Sequence, residues 1–195
     1  MTERDLFTRR RLLTATAAAL AIPDAAFAQA ELPATPACHD GDAPTVRQTD
    51  GPFFKPSSPQ RAELVEPGMP GRRLEVSGFV VSRACKPVAG ALIDVWQADD
   101  NGRYDNQGFR LRGHLFTDAG GRYTLRTIVP GAYDGRTRHI HVKVQAPGRP
   151  LLTTQLYFPD EPLNRSDGLY RRELTMRVAR ADSMLGRFDF VLDLG

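Results

Sequence analysis

From residue 74 onward the chain alternates apolar and polar positions with a period of two, the pattern of strands that bury one face. In "GRYTLRTIV" (121–129), Tyr123, Leu125 and Thr127 oppose Arg122, Thr124 and Arg126. "LEVSGFVVS" (74–82), "ALIDVWQA" (91–98), "HIHVKVQA" (139–146), "LLTTQLYF" (151–158), "LTMRVAR" (174–180) and "RFDFVLDL" (187–194) read in the same way. Between them stand the turn clusters "CKPVAG", "DDNG", "DAGG", "VPGAYDG" and "APGRP", rich in the residues that reverse a chain. No stretch after residue 28 has the pattern of an amphipathic helix of about ten residues. The expectation is an all-β fold, an antiparallel β-sandwich of seven to eight strands with long loops.

The N-terminal residues follow another pattern. Arg9, Arg10 and Arg11 precede an apolar stretch from Leu12 to Ile22, and Ala-Phe-Ala stands at 26–28. That is the layout of a secretory signal peptide over residues 1–28, and the apolar stretch falls short of the roughly 20 residues that span a bilayer. "TRRRLL" fits a twin-arginine signal, with an ordinary Sec signal as the alternative. The expected location is periplasmic or secreted, with no membrane contact after cleavage. Residues 29–48, polar and rich in Ala, Pro and Asp, read as an extended arm, and 49–195 as one domain.

The formal net charge of +3 comes from scattered basic residues without a stripe or interleaved aromatics, so no nucleic-acid partner is expected. The chain has two cysteines, Cys38 and Cys85. An oxidising compartment favours a disulfide between them.

Candidate chemistry begins with "GRTRHIHVKV" (135–144). Side chains at i and i+2 of a strand share a face, so His139 and His141 project together while Ile140 enters the hydrophobic layer. Alone, such a pair is more often two histidines on a sheet surface. Two tyrosines sit in strand-end loops, where functional residues collect: Tyr104 in "DDNGRYD" and Tyr133 in "VPGAYDG". A hard trivalent cation would favour their phenolate forms despite an ordinary pKa near ~10. Trp96 and Tyr123 read as core, Tyr170 as packing, and His114 as structural or surface.

Three segments together carry a family resemblance. "GALIDVWQADDNGRYD", "RLRGHLFTDAGGRYTLRTIVPGAYDGRTRHIHVKV" and "LLTTQLYFPDEPLNRSDGLY" resemble the intradiol ring-cleavage dioxygenases, in particular a compact exported branch similar in fold to protocatechuate 3,4-dioxygenase. The likeness runs from about Cys38 to Tyr170. It implies a mononuclear, non-haem Fe(III) held by Tyr104, Tyr133, His139 and His141. It also implies a catalytic Arg136, three positions before the first histidine, an orienting Gln155, and Tyr133 as the ligand that a catechol displaces. Arg138 is adjacent to His139 and so should point to the opposite face.

The implied reaction joins an aromatic diol and O2 and cleaves the ring between the hydroxyl-bearing carbons, giving a cis,cis-muconate-type product. Thr137 stands where the family often has proline. Which catechol is used, and whether the protein forms a homo-oligomer, stays open. "CKPVAGALIDVWQ" and "TDAGGRYTLRTIVPGAY" also resemble transthyretin-like and collagen-adhesin-type binding modules, the non-catalytic alternative.

Overall fold

Alternation along "RLEVSGFVVS" does produce a strand, β1 (Arg73–Ser82), whose Leu74, Val76, Gly78 and Val80 are buried while Glu75, Ser77 and Phe79 between them are partly exposed. The computed structural model describes residues 43–180 and 183–194. The predicted signal peptide, most of the arm, and Cys38 lie outside the described residues; Cys85 is disulfide-bonded.

After β1 come β2 (Leu92–Trp96), β3 (Arg112–Phe116), β4 (Arg122–Ile128), β5 (His139–Gln145) and β6 (Leu152–Tyr157). Two short 3-10 turns, Pro162–Arg165 and Arg172–Leu174, lead to β7 (Arg177–Arg180), β8 (Met184–Arg187) and β9 (Phe190–Leu192). Among the described residues the strands form two sheets. One runs β4-β1-β8-β7, with β9 also on β1; the other runs β3-β2-β5-β6. The sandwich is as expected, with two strands that the alternation did not reveal. β3 (RGHLF) and β8 (MLGR) are short, each with a buried glycine, and β3 also buries Arg112.

Strand pairing is antiparallel, β1 with β4 included, except that β8 and then β9 pair in parallel with β1. The hairpin from β7 turns β8 into that direction. At the break between β8 and β9 the chain crosses β1 at Gly78, where a Cβ would overlap the Phe188 carbonyl oxygen. That carbonyl accepts the Tyr123 hydroxyl at 2.8 Å, and the Asp189 carboxylate accepts the Phe79 N–H at 2.8 Å.

The core lies between the sheets and includes Leu74, Val76, Ile93, Val95, Leu125, Ile140, Val142 and Leu156. Sandwich edges are exposed hydrogen-bonding rows, and here one pair of edges is joined by a single segment. Its Pro59 carbonyl and Arg61 N–H bond His114 on β3, and its Ala62 carbonyl and Leu64 N–H bond Arg126 on β4.

The outer faces of the two sheets differ. β1 and β4 alternate between buried and more exposed positions, as an antiparallel sheet facing water does. In β5 every residue but Gln145 is buried, and in β6 every residue is. The second face of the β3-β2-β5-β6 sheet is thus also covered, although it carries Arg112, His139, His141, Lys143 and Gln155. A buried polar face needs partners, which locates the chemistry of the molecule. No helix among the described residues is long and apolar enough to cross a membrane.

Substituting Gly78→Ala forces β1 away from Phe188, an overpacking expected to cost about 3 kcal/mol. Chemical denaturation tests this, and an unchanged midpoint would show that the crossing is not tight.

Candidate metal centre

β5 supplies two imidazoles. His139 and His141 project from one face with their Nε2 atoms 3.2 Å apart. His139 Nδ1 lies 2.6 Å from the Thr137 carbonyl, so Nδ1 carries the proton and Nε2 keeps its lone pair. Across the register Trp96 stacks on His141, with ring centres 4.8 Å apart and planes within 7°. Trp96, expected in the core, therefore packs on the outer face beneath the site. The phenylalanines of "TDGPFF" do the same: Phe53 stacks on Tyr104 at 4.4 Å, and Phe54 meets Trp96 edge-on at 4.9 Å.

Two loops supply the phenols. They touch backbone to backbone through Gly102 and Gly131, and a Cβ at either position would overlap the facing main chain. The Gly131 N–H donates to the Asp99 carbonyl at 2.7 Å. Tyr133 and Arg136 face each other across a tight reversal at Asp134 (φ 45°) and Gly135 (φ 73°), closed by a 2.7 Å bond from the Arg136 N–H to the Tyr133 carbonyl. Both central residues have positive φ, as in a type I′ turn.

The four side chains form a closed ring. Ring-centre separations are 5.4 Å from Tyr104 to Tyr133, 5.6 Å to His139, 4.8 Å on to His141 and 6.2 Å back to Tyr104. Among the described residues no three His, Cys, Asp or Glu side chains cluster for a metal, so any ion here needs phenol oxygens as well as the two imidazoles. The fit is good. Metal–imidazole bonds of about 2.0–2.1 Å allow two nitrogens 3.2 Å apart to share one ion as neighbouring ligands.

Ionisation states agree with that. Burial pushes His139 down to about 4 and His141 well below the usual imidazole value, with Arg136 adding to both effects. Both rings are neutral, as ligands must be. Burial, and then the adjacent Tyr133 phenol, raise Tyr104 far above the usual phenol range, and its hydroxyl has no hydrogen-bond partner. Such a group ionises only against a cation. Tyr133 and Tyr104 are both half-buried, and the two histidines are buried.

Arg136 belongs to this site. Its Nε donates to both Asp167 carboxylate oxygens (2.9 and 3.1 Å), and its Nη2 donates to Gln155 Oε1 at 2.7 Å. Gln155 Nε2 donates to the Thr49 carbonyl at 3.1 Å. Arg138 turns away to pair with Glu161 at 3.1 Å, in a cleft of about 340 Å³ bordered by Phe158, Val178 and Met184. Burial opposes ionisation of Asp167, but the Leu169 N–H, Arg136 and the Thr137 N–H outweigh it and hold the carboxyl below its usual value. Tyr157 packs on His139 with its hydroxyl 2.8 Å from the Leu169 carbonyl, and burial pushes that phenol up to about 12. His114 lies outside the ring of donors, its Nδ1 2.8 Å from the Ser58 carbonyl.

A family model described as dioxygenase matches residues 49–194. An intradiol ring-cleavage dioxygenase from Tetranychus urticae superposes with a TM-score of 0.68 at 26% identity, over 75% of this chain and 93% of that one. The chain belongs to the intradiol ring-cleavage dioxygenase family.

Within that family, the dioxygenase domain of a dioxygenase carbohydrate-binding protein fusion from Streptomyces sp. SirexAA-E is 60% identical, with a TM-score of 0.77 over 78% of this chain and all of that one. A hydroxyquinol 1,2-dioxygenase from Rhizobium sp. (strain MTP-10005) is 36% identical over 147 residues, 62% of this chain and 50% of its own length. The chain spans about half the length of the curated relatives it matches. The binding-module alternative accounts for the two sheets but not for four donors gathered on an outer face.

Sequence reading named Tyr104, Tyr133, Arg136, His139, His141 and Gln155, and the fold brings all six together. It passed over Phe53 and Trp96 as site walls, although "TDGPFF" was a visible signal for the first. Asp167 sits unremarked inside "NRSDGLY", and Arg112 had no local signal at all.

Removing the Asp167 charge leaves Arg136 a largely buried cation. Asp167→Ala is expected to cost about 3–5 kcal/mol in denaturant unfolding at neutral pH; a loss within error would contradict the pairing.

The metal-free protein should also lose stability as pH falls from 6.5. The unfolded chain protonates at the ordinary imidazole value, whereas folded His139 resists until about 4. The linkage amounts to about 3 kcal/mol across that window. Unfolding free energy that stays flat between those pH values would contradict a buried neutral imidazole.

Proposed function

We propose that this protein is a mononuclear non-haem Fe(III) dioxygenase that opens catechol-type rings between the two hydroxyl-bearing carbons. The observation that carries this reading is the closed ring of two phenols and two neutral imidazoles, with the Tyr104 hydroxyl unpartnered inside it. Tyr104, Tyr133, His139 and His141 would hold the ion, which when bound would supply a Lewis-acidic centre for the catechol oxygens.

The protein's own groups divide the remaining work. Tyr104 has its hydroxyl buried and its ring stacked under Phe53, which suits it to be the permanent phenolate. Tyr133, half-buried at the tip of its turn, is the donor that gives way and takes up a catechol proton, a general-base role. Arg136 is held from both sides by Asp167 and Gln155. Its guanidinium offers positive charge to the ring oxygens and ring carbons as they become electron-rich, and a fixed dipole or charge of this kind stabilises a transition state without reorganising. Gln155 bonds Arg136 and the Thr49 carbonyl at once, so it sets the direction in which that charge points. Phe53, Phe54 and Trp96 give the site an apolar wall that excludes water from the reacting ring.

The substrate is a small aromatic diol, with O2 as the second substrate and a cis,cis-muconate-type acid as product. The N-terminal segment adds export to the proposal, and the protein would act in the periplasm or outside the cell.

The test is oxygen uptake with catechol, hydroxyquinol and protocatechuate, with isotopically labelled O2 and identification of the product. Ring-opened diacid carrying both labelled oxygens is expected; a quinone, or no uptake with any diol, would refute the reading. Arg136→Ala should keep its iron and lose on the order of a hundredfold in kcat, the ~3 kcal/mol typical of a lost transition-state donor. Unchanged turnover would remove Arg136 from the mechanism.

A further inference from the structure

Arg112 starts β3 on the polar face of its sheet, directly across from Trp96 and one strand further from His141. It is 1% exposed. Its Nε donates to the Asp105 carbonyl at 3.0 Å, and its Nη1 donates to the Phe53 carbonyl at 2.6 Å. Asp105 is the residue after Tyr104, and Phe53 is the ring stacked on Tyr104. One guanidinium therefore fastens both members of that stack, and its central carbon lies 5.9 Å from the centre of the Tyr104 ring.

No carboxylate is in ion-pair contact with Arg112 among the described residues. Asp105, the carboxylate that acts on it most, spends its oxygens on the N–H groups of Gln107, Gly108 and Arg110, and Asp94 accepts from the Ser58 hydroxyl. Nη2 is buried without a hydrogen-bond partner. A buried cation left unpaired is strongly unfavourable, so an opposite charge nearby would be favoured. A Tyr104 phenolate is such a charge.

We infer that Arg112 is a positioning residue for Tyr104, clamping the loop that carries this phenol and placing a positive charge beside its ring. The inference rests on the proposed ferric site, because only a bound cation makes Tyr104 a phenolate. Its planar fork suits the role better than lysine, since it reaches two carbonyls in fixed directions while keeping its charge.

The clamp and the charge can be separated. Wild type, Arg112→Lys and Arg112→Met are purified as full chains with iron, and two quantities are read: the visible tyrosinate band and the rate of iron loss to desferrioxamine. Arg112→Met should lose iron about 10–100-fold faster, the usual effect of removing an outer partner of a metal ligand. Its band should move to longer wavelength, because loss of a nearby cation raises the energy of the phenolate electrons. Arg112→Lys should restore the band position but not the slow release. If Arg112→Met does not fold, Arg112→Lys decides alone: an unshifted band with fast release supports the clamp, and release at the wild-type rate overturns it. Wild type that is coloured, with Arg112→Met identical to it in both readings, overturns the inference while leaving the ferric site intact. Colourless, iron-free wild type overturns both.

Discussion

The alternation of β5 is the constraint on which the rest of the molecule depends. Ile140, Val142 and Val144 enter the core between the sheets, and fully burying each such side chain contributes roughly 1.5–3 kcal/mol. A slip of one residue would place His139, His141 and Lys143 there instead. The hydrophobic effect thus holds two imidazoles on the opposite face, and that face cannot be left to solvent if their neutral form is to be kept. The loops carrying Tyr104 and Tyr133, the "TDGPFF" segment and the loop of Asp167 cover it.

Covering a polar face creates a second requirement, that its charges be answered. Arg136 is matched by Asp167, and Lys143 by Asp50 at 2.8 Å with its ammonium also over the Phe54 ring. Several buried polar atoms without a partner belong to this one region: Trp96 Nε1, Tyr104 OH, Arg112 Nη2 and His141 Nδ1. Buried polar groups are normally satisfied, so their gathering here matches a face built to receive something charged. The layered arrangement also divides labour. The groups proposed to stay fixed are the two buried histidines and Tyr104, whose hydroxyl is buried, while Tyr133, the one proposed to move, enters a tight turn.

Much of this was legible in the chain because the relevant information is local. Seven strands followed from period-two alternation, and the shared face of His139 and His141 followed from the same rule, as did the divergence of Arg136 and Arg138. What was hidden is non-local. β3 has no alternation because both of its faces are covered, Arg112 by the Tyr104 loop and Phe53 and Gly113 by Arg61 and Leu64, and the parallel pairing of β8 and β9 with β1 depends on partners more than a hundred residues apart. Arg112 and Asp167 act through backbone carbonyls and a guanidinium brought near by the fold. No spacing in the sequence marks them. Trp96 looked like core because it is buried, but alternation within β2 cannot say which of two covered faces a side chain joins.

The central claim is that two phenols and two imidazoles form a ferric site in which Tyr104 is a ligand. The most direct measurement is iron content together with the visible spectrum of purified protein, for wild type and Tyr104→Phe. The account predicts one iron per chain and a strong visible tyrosinate band in the wild type, with iron retention lowered and most of the colour lost in Tyr104→Phe. A wild-type protein that takes up no iron and is colourless, or a Tyr104→Phe variant with unchanged iron and spectrum, would contradict it.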